Sequence, residues 1–176
     1  MPSKRITINR APVLTLWTSV VAERLGHKPD EALSLAKAVV GLTAGAKARR
    51  LGIHRARGTD TEPKPKRKAV SDEGERVELL GWSVPVTTTP KGLRATKDGS
   101  PIRPESVTAY LNKAFGDALA DARDAMRKLA AAHKPSELAA AAFTLYERFR
   151  PTVAAGVRGW GQKGTLDLGL IREMAK

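Results

Sequence analysis

The hydrophobic pattern of the N-terminal part of the chain has the period of an α-helix. Apolar residues recur every three or four positions between Pro12 and Gly26, which predicts a helix with one buried face: Val13, Leu14, Trp17, Val20, Val21 and Leu25. Proline suits a first helical turn and glycine a C-terminal cap. A second helix is predicted to begin at Asp30 and Glu31, whose charges favour a helix N-terminus, and to end by Gly52. The two helices predict an antiparallel hairpin.

The pattern changes to two-residue alternation further along. Short strands are predicted at 77–80, 82–87 and 93–96, separated by turn residues. Pro85 lacks a backbone donor, so we expect it at a sheet edge or a bulge. Such a meander is too small to fold alone.

The C-terminal half is again helical in its pattern. One apolar stripe runs from Pro104 to His133 with Gly116 as its weak point, a second helix is predicted from Pro135 to Arg150, and Thr165 is predicted to cap a last helix over 166–175. The predicted fold class is mainly α (α+β), a helical bundle with a small antiparallel β hairpin or meander inserted between helical halves.

Four segments follow from these patterns. We predict an N-terminal helical hairpin over 1–57, a basic mobile arm or linker rich in proline and lysine over 58–75, a β meander over 76–103, and a helical region over 104–176 with a glycine-rich loop at 156–164. Segments 1–57 and 76–176 are expected to pack as one domain.

Charge changes the picture because it is concentrated. The 176 residues carry 31 Lys and Arg against 18 Asp and Glu, a net charge of +13. Residues 45–70 alone hold nine basic residues against Asp60 and Glu62, a net +7. Focused positive charge favours binding to a polyanion. Cysteine is absent, no apolar run is long enough to span a membrane, and no secretion signal is evident, so we expect a cytoplasmic protein without disulfides.

Three interpretations of the basic arm stay open: a solvated linker, an arm that lies along phosphates, or a nuclear-import signal at 63–68. If the arm binds phosphates, the predicted nucleic-acid contacts are Lys47, Arg49, Arg50, Arg55, Arg57, Lys64, Lys66, Arg67 and Lys68.

The first two predicted helices also match some demands of a helix-turn-helix. Ala22, Leu25, Gly26 and Leu35 fit its small and apolar positions. Asp30 and Glu31 would however meet phosphates at the entry of the reading helix, so an ordinary helical hairpin is favoured.

The stretch 159–164 fits the G-x-G-x-x-G spelling of dinucleotide sites. That site requires a preceding strand and a complete βαβ unit, and only 12 residues follow Gly164, so we reject a nucleotide fold. Two interpretations remain for the loop: an anion or base contact through Arg158, Trp160 and Lys163, or a Trp160 that fills the core.

Catalytic and metal-binding patterns are scarce. The three histidines lie in separate segments, and no phosphate loop, His-Glu-x-x-His or serine elbow occurs. Asp117, Asp121 and Asp124 lie on adjacent helical turns beside basic residues, which is more typical of solvated ion pairs than of a metal site. We therefore predict neither an enzyme, nor a cofactor, nor a metal.

Three strings, at 11–17, 22–26 and 156–164, resemble a group of small bacterial proteins without an assigned activity. The resemblance implies no function, and no functional residue is carried over from it. The composition, rich in alanine and arginine, fits a bacterial origin.

The sequence predicts a protein that binds the phosphate backbone of nucleic acid with little sequence specificity, DNA rather than RNA. The alternative is a protein-interaction or assembly module that forms a homodimer through small residues of the second helix and alanines at 130–132 and 139–142.

Overall fold

A computed structural model of the chain describes residues 5–50, 75–97, 100–152 and 163–176, with the backbone alone at 44–50, 75, 97 and 163. The described part is mainly helical and carries two small antiparallel sheets, which confirms the predicted α+β class. Its helices are α1 (Arg10–Arg24), α2 (Pro29–Arg50), α3 (Pro104–Phe115), α4 (Leu119–Ala131), α5 (Pro135–Phe149) and α6 (Leu168–Met174). Its strands are β1 (Arg5–Asn9), β2 (Glu75–Leu79), β3 (Trp82–Thr89), β4 (Gly92–Lys97), β5 (Ser100–Pro101) and β6 (Lys163–Asp167).

Helix α1 is the centre of the molecule. Every residue from Pro12 to Ala22 is buried, so the prediction of a single buried face is wrong. The reason lies in the sequence, because positions 11–22 hold no charged residue and a helix that is apolar on all sides is covered on all sides. Two of its hydroxyls bond within the helix, Thr15 to the Ala11 carbonyl and Ser19 to the Leu16 carbonyl. These two hydroxyls find their acceptors inside the helix, whereas the buried Thr18 hydroxyl has no hydrogen-bond partner among the described residues.

Helices α1 and α2 form the predicted hairpin. Gly26 has a φ of 112°, which only glycine adopts without strain, and it turns the chain between them. The first turns of α2 lie against the four-stranded sheet: Glu31 accepts a hydrogen bond from the Leu93 N–H, and Ser34 bonds to Ala95 and Ile102. This face of α2 is covered by its own chain, so it cannot enter a DNA groove as a helix-turn-helix would require.

The larger sheet has the strand order β2-β3-β4-β5, with every pair antiparallel. Pro85 lies in β3, an internal strand, so of the two expected positions, a sheet edge or a bulge, the edge is wrong. It is tolerated because it sits opposite Arg76 of β2, just beyond the last paired position between β3 and β4, Val86 with Ala95. The β2–β3 turn is made by Leu80 and Gly81, both at positive φ (50° and 84°).

The C-terminal helices pack around α1. The predicted stripe from Pro104 to His133 is broken at Gly116, whose φ of 56° ends α3, and a 3-10 turn at Gly116–Ala118 leads into α4. Helix α5 is joined to α1 by the indole N–H of Trp17, which donates to the Ala142 carbonyl at 2.9 Å. The Trp17 ring also meets Phe149 edge to face at 5.2 Å between ring centres.

A second sheet was not predicted. Strand β1 pairs antiparallel with β6, from Arg5 opposite Asp167 to Asn9 opposite Lys163. Thr165 lies inside β6, so its predicted role as a helix cap is wrong. Asp167 caps α6 instead, since its carboxylate accepts from the N–H groups of Gly169 and Leu170.

Residues of both predicted halves share one hydrophobic cluster, which reaches from Ile8 to Ile171. The predicted arm at 58–75 lies outside the described residues apart from Glu75, and the division into segments stays a prediction. Within the described ranges, no helix combines the length and apolar character needed to cross a bilayer.

Candidate nucleic-acid interface

The structure places some of the predicted contact residues and not others. Lys47, Arg49 and Arg50 lie in the last turns of α2, where the backbone alone is described, and Lys163 opens β6 opposite Asn9. The other predicted contacts lie outside the described residues: Arg55, Arg57, Lys64, Lys66, Arg67, Lys68, Arg158 and Trp160. The interpretation of Trp160 as a core residue stays open with them.

The predicted residues that are placed lie at one end of the α1–α2 hairpin, opposite its turn. Because the helices are antiparallel, Arg10 at the start of α1 is level with about residue 43 of α2, and the last two turns of α2 extend roughly 10 Å further. Asn9, the partner of Lys163, immediately precedes Arg10. We call this region the basic end, defined as Arg10, Arg150, Lys163 and residues 44–50.

Arg10 and Arg150 were not singled out by the sequence, and the structure brings them together. The Arg10 Nε–H donates to the carbonyl of Pro151, the residue after Arg150, at 2.9 Å. The Tyr146 hydroxyl donates to the Arg10 carbonyl at 3.4 Å, and the Arg150 N–H donates to the Tyr146 carbonyl at 2.7 Å. The start of α1 and the end of α5 are therefore joined at this point.

No acid neutralises these two arginines among the described residues. Glu147 lies one turn before Arg150, but no ion pair within 4 Å joins it to either arginine. The adjoining sequence offers no substitute, since positions 41–50 and 150–163 contain neither Asp nor Glu. The first turn of α1 has no acidic residue either, although the positive end of the helix dipole lies there.

The electrostatic environment reflects this arrangement. Partial burial, and secondarily the charge of Arg150, lower the pKa of Arg10 below its usual value. Burial raises the pKa of Tyr146 despite the opposing effect of the two arginines, so its hydroxyl stays protonated and acts as a donor. Burial and a neighbouring like charge thus both act on Arg10 at the start of α1.

The turn end of the hairpin differs. There Arg127 forms an ion pair with Glu23 at 3.3 Å, and Arg24 donates to the His133 carbonyl at 2.9 Å. His27 lies 3.8 Å from a Glu31 oxygen. Among the described residues, carboxylate partners are thus found at the turn and not beside Arg10 and Arg150.

The alanines that were predicted to meet a second copy differ in exposure. Ala130 and Ala142 are buried in the chain's own core, so that part of the prediction is wrong. Ala141 is half-buried against the same core, and Ala131, Ala132, Ala139 and Ala140 are exposed. Leu170 is the one large hydrophobic side chain exposed among the described residues.

The three aspartates of the C-terminal half do not form a metal site in the structure. Asp124 pairs instead with Lys128 at 3.3 Å, one turn further along α4. Across the ranges that the structure covers, no group of three or more His, Asp or Glu residues is arranged to hold a metal ion.

Comparison of the chain with family models, with curated proteins and with solved structures finds no match. The resemblance to small bacterial proteins stays a prediction, and any function must be argued from the residues themselves.

Proposed function

We propose that this protein binds nucleic acid through the phosphate backbone, with little sequence specificity and with DNA as the preferred partner. One observation carries the proposal: Arg10 and Arg150 lie together without a carboxylate partner, at the end of the hairpin where the chain also places Lys163 and the last turns of α2. A cytoplasmic location belongs to the same proposal.

Physical reasons favour a polyanion as the partner of this surface. Like charges held close together repel each other, and a bound phosphate removes that repulsion while releasing counterions from the nucleic acid. Lysine and arginine contacts to phosphates position a protein but read no base sequence. The first turns of α2, which would have to enter a groove in a helix-turn-helix, are covered by the sheet.

The preference for duplex DNA rests on the aromatic residues. Single-stranded nucleic acids are held by bases stacked on exposed aromatic side chains. Among the described residues Trp17, Tyr146 and Phe149 are buried, and none of the other aromatic side chains is exposed. A surface of cations without stacking partners suits the regular backbone of a duplex.

The test is a salt series of DNA and RNA binding. If about six cations each displace one counterion, the logarithm of the binding constant falls with the logarithm of salt concentration at a slope near −5. Deletion of residues 59–71 should make the slope shallower if the arm contributes. Binding that is unchanged between about 50 and 200 mM salt would refute the proposal.

The second candidate is an assembly module, and it rests on the exposed alanines of α4 and α5. Ala131, Ala132 and Ala175 line an open groove of about 580 Å³ together with Lys128, Arg172 and Lys176. Stable dimers bury larger apolar surfaces than this part of the chain exposes. A salt-resistant dimer in solution that does not shift DNA would favour this candidate over the first.

A further inference from the structure

We propose that Arg10 and Arg150 together hold a single phosphate group, and we call the pair the two-arginine site. The inference rests on the proposed function, because it assigns one phosphate of the bound nucleic acid to a fixed position on the protein.

The side chain of Arg10 is oriented before any ligand arrives. Its Nε–H is occupied by the Pro151 carbonyl at 2.9 Å. Its two terminal nitrogens have no partner among the described residues, so their N–H groups are available to a ligand. A guanidinium that is fixed through one donor loses little further freedom when the other donors bind an anion.

Arg150 is held at the same place by the backbone. Its N–H bonds to the Tyr146 carbonyl, and its extended conformation (φ −56°, ψ 155°) leads the chain out of α5 toward the Pro151 carbonyl that Arg10 contacts. The Arg150 side chain is half-buried and makes no hydrogen bond or ion pair with the described residues. Because Arg10 contacts the residue that follows Arg150, the two residues are neighbours, and neither has a carboxylate partner among the described residues.

The chemistry of the pair favours phosphate. Each guanidinium presents a planar fork of N–H donors, and two forks that approach from different elements match a tetrahedral anion with several oxygens. A phosphodiester of DNA and free inorganic phosphate share this chemistry. The experiment below therefore uses both of them as probes.

The first measurement is thermal unfolding in inorganic phosphate against chloride at equal ionic strength. If about 10 mM phosphate is ten times the dissociation constant, the midpoint of the wild type should rise by roughly 3–6 °C. Arg10→Gln and Arg150→Gln should lose this rise. Arg148→Gln, which removes the same charge from an exposed position on the same helix, should keep it. An equal response of wild type and all variants would overturn the site.

The second measurement is a double-mutant cycle of DNA binding at one salt concentration. Arg10→Gln and Arg150→Gln should each weaken binding about tenfold, and the double variant should lose less than the product of the two effects because both side chains share one phosphate. Arg148→Gln should change affinity less than about threefold. Arg150→Gln interrupts no hydrogen bond of the described fold, so its result stands even if Arg10→Gln unfolds the protein.

The outcomes separate the two proposals. Salt-dependent DNA binding that is indifferent to Arg10 and Arg150 would overturn the two-arginine site and leave the proposed function standing. Phosphate stabilisation that depends on both arginines, without any DNA binding, would support the site and refute the proposed function.

Discussion

Ser34 links α2 to the sheet, and its replacement by alanine is the sharpest test of the fold. The buried hydroxyl accepts a hydrogen bond from the Ala95 N–H and donates to the Ile102 carbonyl, each at 2.8 Å. The Ala95 carbonyl accepts from the Ile102 N–H at 2.8 Å. The serine hydroxyl therefore bridges the Ala95 N–H and the Ile102 carbonyl, next to the direct backbone hydrogen bond between the same two residues.

Removing this hydroxyl leaves two backbone groups without a partner. An unpaired buried donor or acceptor costs about 1–3 kcal/mol, and the better helix propensity of alanine returns about 0.5 kcal/mol. We expect Ser34→Ala to lower the free energy of unfolding by about 2–4 kcal/mol, which is a large part of the stability of an ordinary domain. The midpoint of thermal unfolding should fall by roughly 4–16 °C.

Urea unfolding, monitored by tryptophan fluorescence and circular dichroism, measures this loss. An unchanged slope of the unfolding free energy against urea concentration would show that only stability has changed. Ser19→Ala is the matched control. Its hydroxyl is equally buried but bonds within α1 to the Leu16 carbonyl, so it should cost less than about 1 kcal/mol. Equal losses at the two serines would show that Ser34 does not bridge helix and sheet.

Three further predictions concern other elements of the fold. Asp167→Ala should destabilise the protein by about 1 kcal/mol through loss of the α6 cap, while Asp167→Asn keeps a capping oxygen and most of the stability; equal losses in urea unfolding would refute the cap. Burial alone would raise the pKa of Glu31, but hydrogen bonds from the N–H groups of Lys28 and Leu93 and the charges of His27 and Lys28 lower it below 4.5. The ionised Glu31 carboxylate therefore contributes fully to stability above its unfolded pKa, and this contribution is lost as the pH falls through its folded pKa. Between about pH 5 and 3 the wild type should lose more stability than Glu31→Gln. Parallel curves of unfolding free energy against pH for the two proteins would contradict this. Leu80→Gly relieves a left-handed backbone but removes a buried side chain, and we expect a net loss of about 1–3 kcal/mol; a more stable variant would mean that backbone strain outweighs packing.

Local patterns predicted the elements whose determinants lie close together in the chain. The α1–α2 hairpin and the three main strands follow from apolar periodicity and from glycine and proline positions. The Leu80–Gly81 turn carries leucine where asparagine is usual, and the neighbouring strands rather than the turn residues indicated its place.

The features that were missed depend on residues far apart in sequence. Strand β1 pairs with β6 across the whole length of the chain, and five residues with mixed polarity give no signal of such a partner. Thr165 and Asp167 both suit a helix cap, and only the pairing of Thr165 with Thr7 of β1 decides between them. The sequence shows directly that positions 150–163 contain no acidic residue, and this could have pointed to the basic end. Nothing in the sequence indicates that Arg10 contacts Pro151.

The burial of α1 on every side has a consequence for biosynthesis. The chain emerges from the ribosome in order, so α1 and α2 are complete more than 90 residues before α5 supplies the Ala142 and Phe149 contacts to Trp17. At about 5–20 residues per second this interval lasts on the order of 5–20 s. During that time the uncharged stretch of α1 at 11–22 has one helical neighbour instead of several, so the nascent hairpin exposes apolar surface that the finished fold covers.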